Sequence, residues 1–373
     1  MPSHASLFTG LFSITHGVLS NGQTLPEEAV TLAEILSSQG YATGAIVGAA
    51  TLLSDFGLNQ GFDRYDEQFD GSLIERSFKS FVRLLSRSRL NIPSTRAAPE
   101  VTRRALTWLN RRAQRQRPFF LWLHFWDPHE PYEFHPDFER PELVVSGGEL
   151  NAYGQKEVNY VNEIEFADYY LGKILNHLDR LGLTNNTLIV LTSDHGESLG
   201  AHDYVGHRRE VYEDIIRIPL IFRLPGRVPA GNVVSVPAMS IDVMPTVLDL
   251  LGVPYLAASY QGENIFALGT RERPVFAVAV ELFTKSPIRR AVIDGSRKFI
   301  EFDEDGRDAL YDLAADPREE RNLLYADGRP ASEAAAWRGQ IVRWYQAFSN
   351  VSFDDIEISP EQLERLRSLG YVK

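Results

Sequence analysis

TLIVLTSDHGESLGAHDYVGHRREVYEDIIRIPLIF, residues Thr187–Phe222, decides how the rest of the chain is read. Its apolar run Leu188–Leu191 follows the turn pair Asn185-Asn186 and has strand length. A second apolar run, Ile218–Phe222, closes the stretch. Between them stand Asp194, His195, Glu197, His202, Asp203, His207, Arg208, Arg209, Glu213 and Asp214. A strand that stops on Ser193-Asp194-His195-Gly196 delivers a carboxylate and an imidazole to the carboxyl end of a sheet, where open α/β sheets place their ligands. A polar loop with Asp194 as a helix cap is the plain alternative. An acid, an adjacent imidazole and two further histidines in so short a span favour a divalent metal facing an anion.

Composition narrows the classes. With 373 residues the chain can bury a large core, as two or three domains or as one big α/β domain with an appendage. A net charge of −12 argues against a nucleic-acid binder that works by general electrostatics. There is no cysteine, hence no disulfide, zinc–thiolate site or thiol nucleophile within these residues. No apolar run is long enough to span a bilayer. The opening MPSHASLFTG lacks the basic and apolar regions of a signal peptide. The expected location is cytoplasmic if Met1 is the true start, and periplasmic or secreted if a signal lies upstream. All nine histidines stand at or before His207, so imidazole chemistry is assembled from the first part of the chain.

Outward from that stretch, helix and strand alternate. Pro2-Ser3 starts a short helix with Leu7, Phe8, Leu11 and Phe12 on one face, followed by a turn at His16-Gly17. Thr31–Glu34 fits a capping box, its helix stops at Gly40, and Tyr41–Val47 reads as a strand. Helices are expected over 71–92, with Arg83, Arg87 and Arg89, and from Pro99 to Ala113. The arginines there read as a solvated face, since no aromatic residues are interleaved for base stacking. Phe119–Phe125 is a buried strand leading into Trp126–Tyr132, whose prolines stiffen a loop that displays His129. His124 reads as packing. After an insert at 137–155 comes a long helix, Gln155–Leu181, with Val158, Val161, Ile164, Ala167, Leu171, Ile174, Leu175 and Leu178 at helical spacing. Beyond Phe222 the pattern gives a helix at Ile241–Leu251 and a strand at Val275–Val280. A hairpin then turns at Asp294-Gly295, followed by a strand at Ala309–Leu313 and a helix over 331–348.

Several of these stretches together resemble the sulfatases of the alkaline phosphatase superfamily. The family signature [CST]-x-P-S-[RH]-x-x-x-x-T-G is matched from its second position by Met1–Gly10. Thr192–Glu197 resembles the second metal motif, and Gly206-His207 with Tyr212-Glu213 and Arg217–Ile221 the substrate-side segment. Pro128–Tyr132 resembles the mid-chain histidine loop. Leu310–Leu313, Asp316-Pro317, Asn322-Leu323 and 361–372 resemble the C-terminal subdomain.

The resemblance implies an α/β fold: an alkaline phosphatase-like wound sheet flanked by helices, with a small C-terminal antiparallel sheet plus helix. Residues 1–270 would form the catalytic core and 271–373 an α+β subdomain. It implies a metal-dependent sulfuric ester hydrolase. A phosphoric or phosphonic ester hydrolase or phosphotransferase of the same superfamily is one alternative, and a non-catalytic anion-binding relative another. Asp194 and His195 would be metal ligands. His129, His207 and His16 would be catalytic, and His4, Ser3 and Arg209 substrate-binding. The cofactor would be one divalent ion, calcium by resemblance, with imidazole ligation also admitting manganese or zinc. The substrate would be a small-molecule or glycan sulfate or phosphate ester, with no nucleic-acid partner and no membrane span. The signature's nucleophile position falls one residue before Met1 and the first metal motif, with the first strand, further upstream. The expectation is therefore a shortened chain with little turnover on its own.

Overall fold

The structure, a computed structural model, describes residues 1–69, 95–113, 117–138, 152–280, 289–302, 308–326 and 331–349. The basic helix expected over 71–92, most of the insert and the segment 361–372 lie outside the described residues. The described residues form two compact units, one made of residues 1–32 and 185–349, the other of residues 33–184.

In the second of these, strands β1 (Ala42–Ile46), β2 (Arg64–Asp66) and β3 (Phe119–Leu123) form a parallel sheet in the order β2-β1-β3. The helices are α3 (Leu32–Ser38), α4 (Ala98–Ala113) and α5 (Ala152–Arg180). Central β1 is wholly buried, and α4 crosses it so closely that a Cβ on Gly44 would lie 2.7 Å from the Trp108 indole. β3, paired on one side in this sheet, is half-buried where its unbroken apolar run predicted full burial. Arg104 of α4 binds both carboxylate oxygens of Asp66 at 2.9 and 3.0 Å, so this arginine ties helix to sheet. On α5 the buried face includes Ile174 and Leu178, as the helical period required, and also Phe166, which stood outside the expected stripe. Ile164, expected in that stripe, is 42% exposed, while Asn162 and Glu163 are buried in its place. Those two side chains accept the backbone N–H groups of His135 and Glu133, so burying them satisfies a loop that has no ladder of its own.

In the other unit, α1 (Pro2–Thr9) and α2 (Ser13–His16) lead the chain. Strand β4 (Ile189–Thr192) pairs antiparallel with β7 (Leu220–Arg223), and between them β5 (Ser198–Leu199) pairs with β6 (Val205–Gly206). Helix α6 (Val243–Leu251) packs against α1. Four antiparallel strands follow in the order β11-β10-β9-β8: β8 (Val275–Ala279), β9 (Arg289–Asp294), β10 (Arg297–Phe302) and β11 (Ala309–Asp312). The β9–β10 turn is Asp294-Gly295, with Gly295 at φ 60°, as a tight hairpin requires. Helix α7 (Ala331–Phe348) lays Ile341 against Val292, Phe299 and Leu310, and Trp344 against Phe12, Ile14 and Ile241.

Candidate active site

Helix α1 carries Ser3, His4, Ser6 and Thr9. Its end is held by Gly10, whose carbonyl accepts from Gln261 and Gly262 N–H at 2.9 and 3.2 Å. A Cβ at Gly262 would sit 1.9 Å from the Ile241 carbonyl, so only glycine allows that approach. His4 is buried, with Nδ1 3.6 Å from Asp194 Oδ2. His16 lies deeper. Its Nδ1 accepts the Val18 N–H at 3.1 Å, which leaves Nε2 to carry the proton and donate to Ser6 Oγ at 3.0 Å. Burial lowers its pKa to about 3. Both nitrogens of His16 thus serve the N-terminal segment itself, and the ring is neutral at any working pH.

β4 ends at Thr192, and Asp194 and His195 follow where the sequence put them. His195 Nδ1 lies 2.8 Å from the Gly196 carbonyl, which can only accept, so Nδ1 bears the proton and Nε2 is the basic nitrogen. Nε2 is 3.6 Å from Asp194 Oδ2. Asp194 Oδ2 therefore stands at equal distance from two imidazole nitrogens. The segment is fixed from behind: Gly196 and Glu197 N–H donate to the Ile215 and Asp214 carbonyls at 2.7 and 3.0 Å. A Cβ on Gly196 would meet the Asp214 carbonyl oxygen at 2.2 Å.

The β5–β6 ladder returns the chain to His207. Its ring stacks on His195 at 3.9 Å between centroids, and Nδ1 lies 3.0 Å from Glu197 Oε2. The carboxylate accepts, so the buried Glu197 side chain orients the His207 ring. The Tyr204 hydroxyl accepts from Arg208 and Arg209 N–H at 2.9 and 3.2 Å, shaping the turn that presents Arg209. His202, at φ 54°, stacks instead on Tyr212 at 3.8 Å.

In the unit of residues 33–184, β3 runs into the loop bearing His129. Its ring stacks on Trp126 at 3.8 Å, and Nδ1 donates to the Glu130 carbonyl at 2.7 Å, again making Nε2 the basic nitrogen. Asp127-Pro128 and Glu130-Pro131 are both cis. His124 accepts the Gly48 N–H at Nδ1, a packing role as expected. Burial raises the pKa of Asp127, and burial with Asp127 and Glu133 nearby pushes Glu163 up to about 7.

Several participants escaped sequence reasoning. Glu197 was noted but not paired with His207. Tyr204 and the acceptor carbonyls of Asp214 and Ile215 carried no local signal. Lys298, fully buried on β10, binds Glu213 at 3.0 Å and Glu319 at 2.8 Å, and Glu319 Oε2 accepts the Glu213 N–H at 2.6 Å.

The family model "Sulfatase" matches residues 1–253, and "N-sulphoglucosamine sulphohydrolase, C-terminal" matches 200–346. The chain is 27% identical to an ulvan-active sulfatase of Formosa agariphila, over 89% of this chain and 68% of that protein. It is 25% identical to an N-acetylglucosamine-6-O-sulfatase of Bacteroides thetaiotaomicron, over 87% of this chain and 74% of that protein. A protein solved in complex with its substrate D-glucosamine-2-N,6-O-disulfate superposes with a TM-score of 0.74 at 20% identity, covering 95% of this chain and 90% of its own. A phosphonate monoester hydrolase from Silicibacter pomeroyi superposes at 0.70 and 22%, covering 96% and 88%. Those likenesses give the fold, an alkaline phosphatase-like α/β architecture with a small antiparallel sheet. The matched sequence gives more: the chain belongs to the sulfatase family, hydrolases that act on sulfuric ester bonds and in general use a divalent metal ion.

Proposed function

We propose that Asp194 and His195 hold one divalent cation, calcium as the family resemblance implies, and that the substrate is a sulfated saccharide. One observation carries the ligand assignment: Asp194 Oδ2 lies 3.6 Å from His195 Nε2 and 3.6 Å from His4 Nδ1. Those gaps are too long for hydrogen bonds. A cation 2.3–2.6 Å from each of two ligands at right angles would hold them roughly 3.3–3.7 Å apart. The donor set therefore fits an ion without rearrangement, and the proton on His195 Nδ1 keeps Nε2 ready to ligate.

When bound, the ion would neutralise ester oxygens and lower the barrier to attack at sulfur. The chain's own groups supply the rest. His4, Ser3 and Arg209 bind the sulfate oxygens. His207, oriented by Glu197, carries at Nε2 the proton for the leaving oxygen. The family resemblance of Pro128–Tyr132 supports a substrate or leaving-group role for His129 as well. His16, held by Ser6 and Val18, positions α1 and takes no proton. We assign residues 1–270 to the catalytic core and 271–373 to a C-terminal α+β subdomain, a reading supported by the antiparallel strands that begin at Val275. A saccharide substrate is supported by the ulvan-active and N-acetylglucosamine-6-O-sulfatase relatives.

Full-length protein assayed on aryl sulfate, aryl phosphate and aryl phosphonate esters side by side should favour the sulfate. A phosphate or phosphonate preference would overturn that assignment in favour of the other superfamily chemistry. Asp194→Ala should lose the bound ion by metal analysis after titration with calcium, manganese and zinc in parallel. Equal metal content in variant and wild type would refute the ligand assignment.

A further inference from the structure

A second set of donors sits beside the loop that follows β3. Asp127, His135 and Glu163 each offer one ligand atom, and the three atoms lie within 4.8 Å of one another. Asp127 follows β3, His135 lies eight residues further along the same loop, and Glu163 projects from α5. None of them belongs to the sulfatase motifs described above.

The three are pre-oriented. Asp127 Oδ2 accepts the Ala98 N–H at 2.9 Å and Glu163 Oε1 accepts the Glu133 N–H at 2.8 Å, which fixes both carboxyl groups. The His135 ring lies flat on Phe166, 3.7 Å between centroids at 3°. Asn162 clamps the His135 backbone on both sides, accepting its N–H at 2.6 Å and donating to its carbonyl at 3.1 Å. His135 Nε2 is buried with no hydrogen-bond partner and stands 3.7 Å from Glu163 Oε1. Asp127 and Glu163 are 7% and 4% exposed, and among the described residues no lysine or arginine pairs with either. Two buried acids facing an unbonded imidazole nitrogen form a poor hydrogen-bonded core and a good set of ligands.

We propose that Asp127, His135 and Glu163 bind a zinc ion, sharing no residue with the Asp194–His195 pair. One nitrogen and two carboxylate donors, with a fourth position for water, is a normal zinc set. Tetrahedral zinc with ligands at about 2.1 Å holds its donors about 3.4 Å apart, so the observed 3.7 Å closes by a few tenths of an ångström. The backbone N–H groups of Ala98 and Glu133 would hold the two carboxylates in place from outside. An ion here would staple the Asp127–His135 loop, and with it His129, to the start of α4 and to α5.

The test uses cobalt(II) as an optical stand-in and zinc as the competitor, on the full chain carrying Asp194→Ala. That background should still bind one cobalt ion with visible d–d absorption, and zinc should displace it. Adding His135→Ala, which removes a partly exposed ring, should weaken binding more than about 10-fold. Adding Glu163→Gln, which keeps the hydrogen bond from Glu133, should do the same. Unchanged circular dichroism would show that both variants fold. No cobalt absorption in the background protein, or equal affinity in all three, would overturn the site.

Discussion

His16 sits at the sharpest divide between what a sulfatase histidine can do and what this one does. It is 4% exposed, accepts a backbone N–H and donates to Ser6, and burial lowers its pKa from 6.5 to about 3. A base whose folded pKa is depressed binds fewer protons folded than unfolded. Its stabilising effect is complete above the unfolded value and is lost as pH falls from 6.5 toward about 3. At pH 5 the unfolded imidazole is almost fully protonated and the folded one is not. At about 1.4 kcal/mol per pH unit, this one ring costs about 2 kcal/mol between pH 7 and pH 5. Near pH 3 the loss approaches about 4 kcal/mol. The perturbation is His16→Gln, which keeps a donor for Ser6 but cannot titrate. Urea unfolding at pH 7 and pH 5 should show wild type losing about 2 kcal/mol more than the variant over that interval. Nitrogen-15 shifts of the ring should report the Nε2–H tautomer, unchanged down to pH 5. If His16 titrates with a midpoint near 6, or the two proteins lose stability in parallel, the neutral buried assignment fails. The limbs of the pH–rate profile should also stay where they are in His16→Gln, because a group neutral throughout the working range cannot define one.

Three further outcomes follow from the same geometry. Lys298→Met leaves the buried Glu319 and the half-buried Glu213 without their cation and should cost about 3–5 kcal/mol in denaturant unfolding, whereas Lys298→Met with Glu213→Gln and Glu319→Gln should recover most of it. Gly196→Ala drives a methyl into the Asp214 carbonyl and should destabilise by more than about 1 kcal/mol while lowering metal occupancy, both readable by calorimetry. Glu197→Gln exchanges a charge-assisted hydrogen bond to His207 for a neutral one. It should lower kcat on sulfate esters by on the order of 10-fold with KM and metal content unchanged; an unaltered kcat would remove His207 from proton transfer.

What was legible in the sequence was what local chemistry dictates. The helix over 331–348 appears at those residues because Trp337, Ile341 and Trp344 repeat with its period. The hairpin turns at Asp294-Gly295 because that pair tolerates the positive φ. Asp194 and His195 stand at a strand end because an apolar run stops there. What stayed hidden depends on approach across sequence distance. Glu197 finds His207 only because β5 and β6 pair, and that two-residue ladder is too short for any periodicity to announce. Lys298 meets Glu213 across 85 residues, and Glu213 N–H meets Glu319 across 106. On α5 the apolar period named Ile164, yet Glu163 and Asn162 took the buried face because the facing loop needed acceptors, a demand written elsewhere in the chain.

Those distant pairings also explain why the antiparallel strands and the Asp194 segment fall in one compact unit. The turn Glu213–Ile216 supplies the carbonyls that hold Gly196 and Glu197. That turn is itself held by Lys298 of β10, and the residues before it by Val211 in a core with Ala291, Ile300, Ala309 and Tyr311. Arg289 of β9 adds a charge contact to Glu210 at 3.6 Å. A metal site needs its ligands fixed to within a few tenths of an ångström, and a loop of polar residues cannot supply that alone. Here the rigidity comes from hydrogen-bonded strands more than seventy residues downstream, transmitted through one buried lysine. The C-terminal sheet is thus the support that fixes the Asp194 carboxylate and the His195 imidazole, the pair proposed to bind the cation.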